Sequence, residues 1–399
     1  MQRPAWRAPL IVLIAGATIL TLSIGIRNSF GLFLAPMSGD LGMGREIFAL
    51  SIAIQNLLWG LTQPFFGAAC DRWGSGRVVA VGAALYAAGL YWMGQATTPF
   101  DLYVGGGVLI GLGLSGTSFA AVLGAVGRNY PLEKRGMALG ICTAGGSLGQ
   151  FLMVPIGQSF ISNHGWSVGF MAFAVIVLSA AMLAIFVSGK PQQEAGSLSI
   201  TEALGAARTH SGYLLLTAGF FVCGFHVTFI GTHLPAYLTD SGLPPESGAT
   251  ALALIGLFNI IGSFACGYFG DKFSKKWLLS GLYGARAVVI LAFLLAPLTP
   301  LSAALFGAGI GLLWLGTVPL TSGLVAQIFG LRSVGTLFGI VFLSHQVGAF
   351  LGVWLGGRLF DATGSYELVW WMAVALAVLA TLLHLPINER PYVRQAAAA

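Results

Sequence analysis

The chain alternates between long apolar stretches and short polar breaks along almost its whole length. Most of these stretches reach the roughly 20 residues that an α-helix needs to cross a bilayer. Twelve are predicted, at residues 9–38, 47–70, 77–96, 101–127, 136–162, 166–187, 211–238, 248–270, 276–296, 299–327, 334–360 and 367–386. Their apolar positions run continuously, whereas the strands of a membrane β-barrel alternate in hydrophobicity. We therefore predict an all-α membrane protein with twelve transmembrane helices.

Composition supports a membrane location. Of the 399 residues 56% are hydrophobic and only 8% are charged, with a mean hydropathy of +0.85, which excludes a water-soluble globule. The first apolar stretch is too long for the core of a cleavable signal peptide, so we expect it to remain as the first helix. No disulfide framework, metal site or cofactor is predicted, because the cysteines show no paired spacing. They are Cys70, Cys142, Cys223 and Cys266.

The charged residues favour one orientation in the bilayer. Fifteen of the 19 Lys and Arg residues lie at the termini, in the central linker or in the loops after even-numbered helices. The loops after odd-numbered helices contain only Arg45 and Arg358, together with seven acidic residues. By the positive-inside rule, both termini are predicted to be cytoplasmic. The net charge of +6 is then explained by the basic residues that orient the protein in the membrane, and no nucleic-acid partner is expected.

An internal repeat divides the chain into two six-helix halves. The only long polar interval is 188–210, and short patterns recur about 200 positions apart on its two sides. The pairs are GAACDRWGSGRVV (67–79) with GYFGDKFSKKWLL (267–279), SFGLFLAP (29–36) with TFIGTHLP (228–235), RGMALG (135–140) with VGTLFG (334–339), and GQFL (149–152) with GAFL (348–351). Parallel repeats predict a pseudo-two-fold axis along the membrane normal, with substrate bound between the halves. The predicted domains are 1–187 and 211–399, joined by a cytoplasmic linker.

The first repeated pair resembles a known signature. Gly67-x-x-x-Asp71-Arg72-x-Gly74-x-x-Arg77 is similar to the loop 2–3 signature of the major facilitator superfamily. Gly267-x-x-x-Asp271-Lys272-x-Ser274-Lys275-Lys276 is similar to its counterpart in loop 8–9. The resemblance covers essentially the whole chain. It implies the major facilitator fold, in which two pseudo-symmetric six-helix bundles transport a substrate by alternating access.

The charges of the two signatures suggest a conformational latch. An Asp at a helix end can cap the amides of the next helix and pair with a neighbouring Arg or Lys. We predict a cytoplasmic latch that breaks when the halves rock. Its residues are Asp71, Arg72 and Arg77 in the first half and Asp271, Lys272 and Lys276 in the second. The alternative is that these charges only determine topology.

Two further segments resemble one branch of that superfamily. GIRNSFGLFLAPM (25–37) in helix 1 and GGRLFDATGSY (356–366) after helix 11 are similar to monocarboxylate transporters and oxalate–formate antiporters, which carry small organic anions. Those families place an arginine in helix 8. The corresponding segment here, NIIGSFACGYFGD (259–271), has no basic residue, so the carboxylate-binding role of that arginine is not carried over.

Basic side chains are predicted inside the membrane, but acidic ones are not. All 13 Asp and Glu residues fall in loops or at helix ends, whereas Arg27 lies deep in helix 1 and Arg286 in the middle of helix 9. An intramembrane charge costs at least about 2.5 kcal/mol, so each arginine should face a cavity or a partner. A cavity with basic groups and no acid favours anionic or neutral polar substrates over cations.

We predict a substrate site from these arginines and from polar neighbours. Its candidates are Arg27, Asn28, His226, His233, Arg286, His345 and Gln346, and in the repeat Arg27 aligns with His226. First helices line the cavity in the resembled superfamily, which favours Arg27, whereas the ninth helix is peripheral and favours a structural role for Arg286. The histidines are more often satisfied core residues than proton carriers. Other interior amides either line the path or join helices, namely Gln55, Asn56, Gln150 and Asn259.

The coupling mechanism stays open at this level. Because no acid lies at mid-membrane, a coupled proton must bind to a histidine or to a substrate carboxylate beside Arg27. Anion exchange or facilitated diffusion needs no proton-binding group. Gly145, Gly146 and Gly149, with Pro155, only loosely resemble an antiporter motif. They are predicted to permit close helix packing.

Other function classes fit the sequence less well. It contains no convergent nucleophile, base and metal ligands and no GxxxxGK[ST] loop, so neither an enzyme nor an ATP-driven pump is predicted. The two-fold repeat fits a rocking carrier better than a channel. We predict a monomeric secondary transporter of a small, monocarboxylate-like organic anion in a bacterial inner membrane. The alternative is an efflux permease for amphipathic drugs or metabolites.

Overall fold

The computed structural model is helical throughout and describes residues 8–189, 205, 207–330 and 334–391. We number its membrane-spanning helices α1 to α12. In the first six, α1 comprises Pro9–Asn28 and Gly31–Leu41, α2 is Arg45–Trp73, α3 is Ser75–Gly94, α4 spans Pro99–Asn129, and α5 and α6 lie within Leu132–Leu183. In the last six, α7 is Ser211–Asp240, α8 is Pro245–Gly270, α9 is Lys275–Leu295, α10 spans Pro300–Phe329, α11 is Val334–Thr363 and α12 is Glu367–His384.

The predicted all-α membrane fold is confirmed. Ten helices within the described residues are long and apolar enough to cross a membrane. One of these turns at Gly165 (φ +84°, ψ 166°), a conformation that favours glycine, and so supplies both α5 and α6. The twelfth helix is α2, which has 29 residues but carries several polar side chains in its interior.

The loops group on two faces because successive helices run in opposite directions. We call the face where α1 begins and α12 ends, which also holds the α2–α3 and α8–α9 junctions, the terminal face. The face with the α1–α2, α7–α8 and α11–α12 junctions is the opposite face. Helices α1–α6 form the N-terminal half and α7–α12 the C-terminal half. The predicted linker at 188–210 lies largely outside the described residues, so the domain boundaries stay a prediction.

The internal repeat reappears in contacts at the terminal face. After α6, the carbonyl of Gly189 accepts a hydrogen bond from Arg128 Nη2 of α4 at 3.2 Å. After α12, the carbonyl of Glu389 accepts one from Gln327 Nε2 of α10 at 3.1 Å. Both acceptors and both donors are related by the repeat spacing of about 200 positions. Each half therefore ties the end of its sixth helix to its fourth helix in the same way.

Glycines of α5 allow α1 to approach closely, as the sequence predicts. A methyl group added to Gly145 would lie 2.6 Å from the carbonyl oxygen of Ala17. Because the two helices are this close, Thr21 Oγ1 of α1 can donate to the carbonyl of Gly145 at 2.9 Å. Gly149 packs likewise on the backbone of Thr21. This packing fixes the position of the α1 segment that carries Arg27.

Two helices of the bundle, α4 and α10, contain irregular segments. A π-helix covers Leu102–Leu109 of α4, and α2 supplies donors to its carbonyls, with Gln55 Nε2 2.9 Å from the carbonyl oxygen of Gly106. Gln55 therefore joins α2 to α4. In α10 the helix stops at Leu312 and restarts at Thr317, which leaves carbonyl groups without helical partners.

Candidate functional site

Arg27 lies near the middle of α1, where the two halves meet. Its Nη1 donates to Asn28 Oδ1 at 3.2 Å and its Nη2 donates to Asn56 Oδ1 of α2 at 2.5 Å. The guanidinium carbon is 5.5 Å from the centre of the Trp59 ring, and Nε is buried without a partner. Neither of the two ion pairs within the described residues includes Arg27. Amides and a ring therefore surround a positive charge that can still accept an anion.

On one side, hydrogen bonds connect Arg27 to α8. Asn28 Nδ2 donates to Gln150 Oε1 of α5 at 3.1 Å, and Gln150 Nε2 donates to the carbonyl of Leu252 in α8 at 2.9 Å. A second amide crosses the same boundary, because Asn259 Nδ2 of α8 donates to Ser147 Oγ of α5 at 2.8 Å. The halves are thus joined by buried amides between α5 and α8.

On the other side, hydrogen bonds connect Arg27 to α11. Gln346 Nε2 donates to the backbone carbonyl of Asn56 at 3.0 Å, and His345 Nδ1 lies 3.0 Å from Gln346 Oε1. The His345 ring stacks on Phe342, with 5.8 Å between ring centres. We call the connected side chains the interior polar network: Gln150, Asn28, Arg27, Asn56, Gln346 and His345. Four of the predicted site residues therefore come together.

The two histidines of α7 lie outside this network. His226 is buried and its Nε2 donates to the carbonyl of Ala373 in α12 at 2.8 Å. His233 Nε2 donates to the carbonyl of Val353 at 2.8 Å, and its Nδ1 is 3.2 Å from the hydroxyl of Tyr366. Both side chains thus hold helices of the C-terminal half together. Their roles in substrate binding stay predictions.

Arg286 also lies outside the network and is fully buried. Its Nε donates to the carbonyl of Leu313 at 2.9 Å, and its Nη2 donates to the carbonyls of Leu313 (2.6 Å) and Trp314. Leu313 and Trp314 lie in the interruption of α10, between Leu312 and Thr317. Arg286 therefore caps the C-terminal end of Pro300–Leu312, where a positive charge also interacts favourably with the helix dipole. This contact supports the structural alternative for Arg286.

The predicted latch residues are spread over the terminal face without ion pairs among the described residues. Asp71, Arg72, Arg77, Asp271 and Lys272 are exposed, and Lys276 is half-buried. Neither Asp caps the following helix, because α3 and α9 begin after Gly74 and Ser274 without a side-chain cap. Glu389 Oε1 instead accepts from the amide of Lys276 at 2.8 Å. The latch stays a prediction for a conformation in which the terminal face is closed.

Ion pairs between the halves are found on the opposite face instead. Arg45 of α2 binds both carboxylate oxygens of Asp240 at the end of α7, with Nη2 2.6 Å from Oδ1. Glu46 pairs with Arg358 of α11 at 3.0 Å. Asp361 of α11 accepts from the amides of Arg45 at 2.9 Å and Glu46 at 2.8 Å. We call these five residues the opposite-face gate.

The sequence contained a signal for this gate. Arg45 and Arg358 are the only basic residues in the loops after odd-numbered helices, and both pair across the halves. Which acid each arginine meets depends on the packing of α2 against α7 and α11, so the pairs were missed. Gly357 makes this packing possible, because a methyl group there would lie 2.8 Å from the carbonyl oxygen of Arg45.

The contacts between the halves lie on the opposite face and at mid-depth. The gate lies there, and the interior polar network and the contact of Trp59 with Phe342 (5.6 Å between ring centres) join the halves at mid-depth. The exposed charges on the terminal face add no ion pair between the halves within the described residues. Arg27 is thus a basic site at the boundary of two halves that are held together on one side.

Known proteins are similar to this chain in sequence. The model of the Major Facilitator Superfamily matches residues 13–318. The uncharacterized MFS-type transporter YcxA of Bacillus subtilis is 28% identical over 371 residues, covering 90% of each chain. Monocarboxylate transporter 13 of Rattus norvegicus is 27% identical over 382 residues, covering 91% of this chain and 86% of its own.

A solved structure supports the same fold. A bacterial homologue of the human lysosomal transporter Spinster, in an inward-facing and occupied conformation, matches with a TM-score of 0.77 and 15% identity. The match covers 96% of this chain and 97% of the homologue. The resemblance noted in the loop signatures is thereby confirmed. The chain belongs to the Major Facilitator Superfamily and is a multi-pass membrane transporter.

Proposed function

We propose that this transporter moves a small organic anion of the monocarboxylate type by alternating access. Arg27 is the proposed main contact for the substrate carboxylate. The observation that carries the proposal is the state of its guanidinium, which has a buried Nε without a partner and no carboxylate in an ion pair within the described residues. A guanidinium binds a carboxylate through two parallel charge-assisted hydrogen bonds, which neutral amides do not match.

The similarity to a monocarboxylate transporter over 91% of the chain supports the substrate class. The positive charge without an acidic partner also supports it, because such a site repels cations. We propose that the terminal face is cytoplasmic, since most of the Lys and Arg residues in the described part of the chain lie there. In this arrangement the substrate reaches Arg27 from the cytoplasm, and transport requires the opposite-face gate to open while the terminal-face latch closes.

For a symport cycle, His345 is the proposed proton carrier. It is the titratable side chain of the interior polar network apart from Arg27, and its Nδ1 contacts Gln346, which in turn contacts Asn56. The other route is a proton bound to the substrate carboxylate itself. Replacing His345 with Gln separates them, because a carrier histidine is needed for proton-driven accumulation but not for exchange of one anion for another.

A thermal-shift experiment on purified protein tests the substrate class. Acetate, lactate, pyruvate, benzoate, dicarboxylates, neutral metabolites and hydrophobic cations are compared, because a ligand that binds the folded state raises its apparent stability. Monocarboxylates should stabilise the wild type and Arg390→Gln, an equal charge change at an exposed residue, but not Arg27→Gln. Stabilisation by hydrophobic cations that persists in Arg27→Gln would replace the proposal with the efflux permease.

A further inference from the structure

We propose that Asn56 is a built-in stand-in for the substrate carboxylate. Its side-chain oxygen occupies the position on Arg27 that the substrate takes, and it gives up this position when the anion binds. The inference rests on the proposed function, because it assigns a competitor to the same guanidinium. It makes Asn56 a residue that sets anion affinity without itself binding the anion.

The geometry of Asn56 matches this role. Its Oδ1 accepts a hydrogen bond from Arg27 Nη2, as a carboxylate oxygen of a bound anion would. Its Nδ2 donates to the carbonyl of Ile52 at 2.7 Å, one turn earlier in α2. That second bond orients the amide so that its oxygen, and not its nitrogen, faces Arg27. Asn56 is fully buried.

The strength of the contact suits a displaceable group. A guanidinium inside a membrane protein needs an acceptor even when no substrate is bound. A neutral amide oxygen supplies one, but a carboxylate binds roughly twice as strongly because its bonds are assisted by charge on both partners. An aspartate at this position would neutralise Arg27 permanently. An asparagine keeps the same shape and leaves the arginine available to an anion.

The position of Asn56 also connects anion binding to the contact between the halves. Gln346 of α11 donates to the backbone carbonyl of Asn56 at 3.0 Å. One turn further along α2, a methyl group added to Gly60 would lie 2.8 Å from Gln346 Cγ. Asn56 therefore sits where α2 touches α11. Its displacement by a substrate acts directly on one of the contacts that must change when the halves rock.

Two variants at this position test the inference in opposite directions. Asn56→Asp should lower the affinity for the monocarboxylate that most stabilises the wild type by about 100-fold, because the new carboxylate pairs with Arg27. Asn56→Ala should raise that affinity by about 10-fold, because the competitor is removed. Both affinities are measured on purified full-length protein by titrating the thermal shift with that monocarboxylate.

Asn259 supplies the matched control. It is a buried amide of α8 whose hydrogen-bond partners are Ser147, Ser263 and the amide of Leu315, and these do not include Arg27. Asn259→Asp and Asn259→Ala should therefore leave the affinity within about three-fold of the wild type.

A second measurement, the unfolding temperature, does not depend on a ligand. Without any anion, Asn56→Asp should unfold at a higher temperature than the wild type, whereas Asn259→Asp should unfold at a lower one.

The outcomes separate this inference from the proposed function. Loss of monocarboxylate binding in Arg27→Gln, with wild-type affinity in Asn56→Asp, would overturn the role of Asn56 and leave the substrate class standing. Weaker binding in Asn56→Ala would also overturn it, since Asn56 would then support the anion. If no monocarboxylate stabilises the wild type, the proposed function itself fails, and the temperature shift of Asn56→Asp still tests the pairing with Arg27.

Discussion

The carboxylate of Asp361, near the end of α11, accepts a hydrogen bond from the backbone amide of Arg45 at the start of α2. Although these residues belong to different halves, Asp361 acts as the acidic cap of α2, because it also accepts from the next amide. The first amides of a helix have no partner within the helix and carry the positive end of its dipole. The cap exists only while α2 and α11 meet on the opposite face, so it stabilises the closed state of that face.

Replacing Asp361 with Ala should therefore loosen the opposite-face gate. Loss of a cap costs about 1 kcal/mol, which corresponds to roughly a five-fold shift toward the open state. A cysteine at Thr232, a buried residue of α7 that packs on Gly31 across the halves, reports this opening in a background without native cysteines. Its labelling by an impermeant thiol reagent from the opposite face should accelerate about five-fold.

Asp101→Asn provides the control for this experiment. Asp101 lies on the same face but caps α4 within one half, where its carboxylate accepts hydrogen bonds from Trp92 Nε1 at 3.0 Å and from the amide of Thr98 at 2.8 Å. This variant should leave the labelling rate at Thr232 unchanged. Equal acceleration in both variants would show that any lost cap on this face has the same effect, and that Asp361 is not part of a gate.

The two ion pairs of the gate should differ in strength. Arg45 is 12% exposed and binds Asp240 with two nitrogens, whereas Arg358 is 61% exposed and uses one nitrogen toward Glu46. A double-mutant cycle on thermal unfolding should give a coupling free energy of about 1–2 kcal/mol for the first pair and at most about 0.5 kcal/mol for the second. Similar values for both would mean that burial and bidentate geometry do not govern these pairs.

Arg286 should act on stability and not on anion affinity. Arg286→Ala leaves the carbonyls of Leu313 and Trp314 buried without donors, so we expect a loss of about 3 kcal/mol or more. The folded fraction should bind monocarboxylates as the wild type does, measured by titration at a temperature below the lowered unfolding midpoint. A large loss of monocarboxylate affinity in Arg286→Ala would show that Arg286 contributes to substrate binding.

The terminal-face signature should affect transport more than stability. Asp71 is exposed and forms no ion pair in the described part of the chain, so Asp71→Asn should leave membrane insertion intact and shift stability by less than about 0.5 kcal/mol. Its uptake rate should nevertheless change if the proposed latch closes this face in the other conformation. Asp271→Asn is the counterpart in the repeat. Wild-type kinetics in both variants would reduce the signature to a topological signal.

The start of α7 should depend on pH. His210 Nδ1 accepts from the amide of Tyr213 at 3.2 Å, and burial lowers the pKa of His210 from its usual 6.5. The folded state therefore binds its proton less readily than the unfolded chain. This contribution to stability is fully present above about pH 6.5 and is lost as the pH falls toward the folded pKa.

Unfolding temperatures at pH 7.5 and pH 5.5 test this dependence. His210→Asn keeps an acceptor at the helix start but does not titrate in this range, so its drop between the two pH values should be smaller than that of the wild type. An identical drop in both proteins would show that other groups cause the pH dependence.

The sequence alone determined the number, order and approximate limits of the twelve helices. Crossing a bilayer imposes a length and a hydropathy on each segment, and these are visible without knowing its neighbours. The repeat and its two loop signatures were readable for the same reason, since they are local patterns. Arg27 and Arg286 were identifiable as unusual because a charge inside an apolar segment is costly wherever it points.

Only the tertiary structure decided which side chains meet. His226 aligns with Arg27 in the repeat, yet it donates to α12. Asn56 of α2 instead contacts Arg27, and Gln346 of α11, far away in the chain, contacts Asn56. Arg286 can donate to the carbonyl of Leu313 only because α10 is interrupted beside it. The rotation of each helix about its own axis is set by packing against distant segments. Hydropathy along one segment carries too little information about that rotation to reveal the network or the gate.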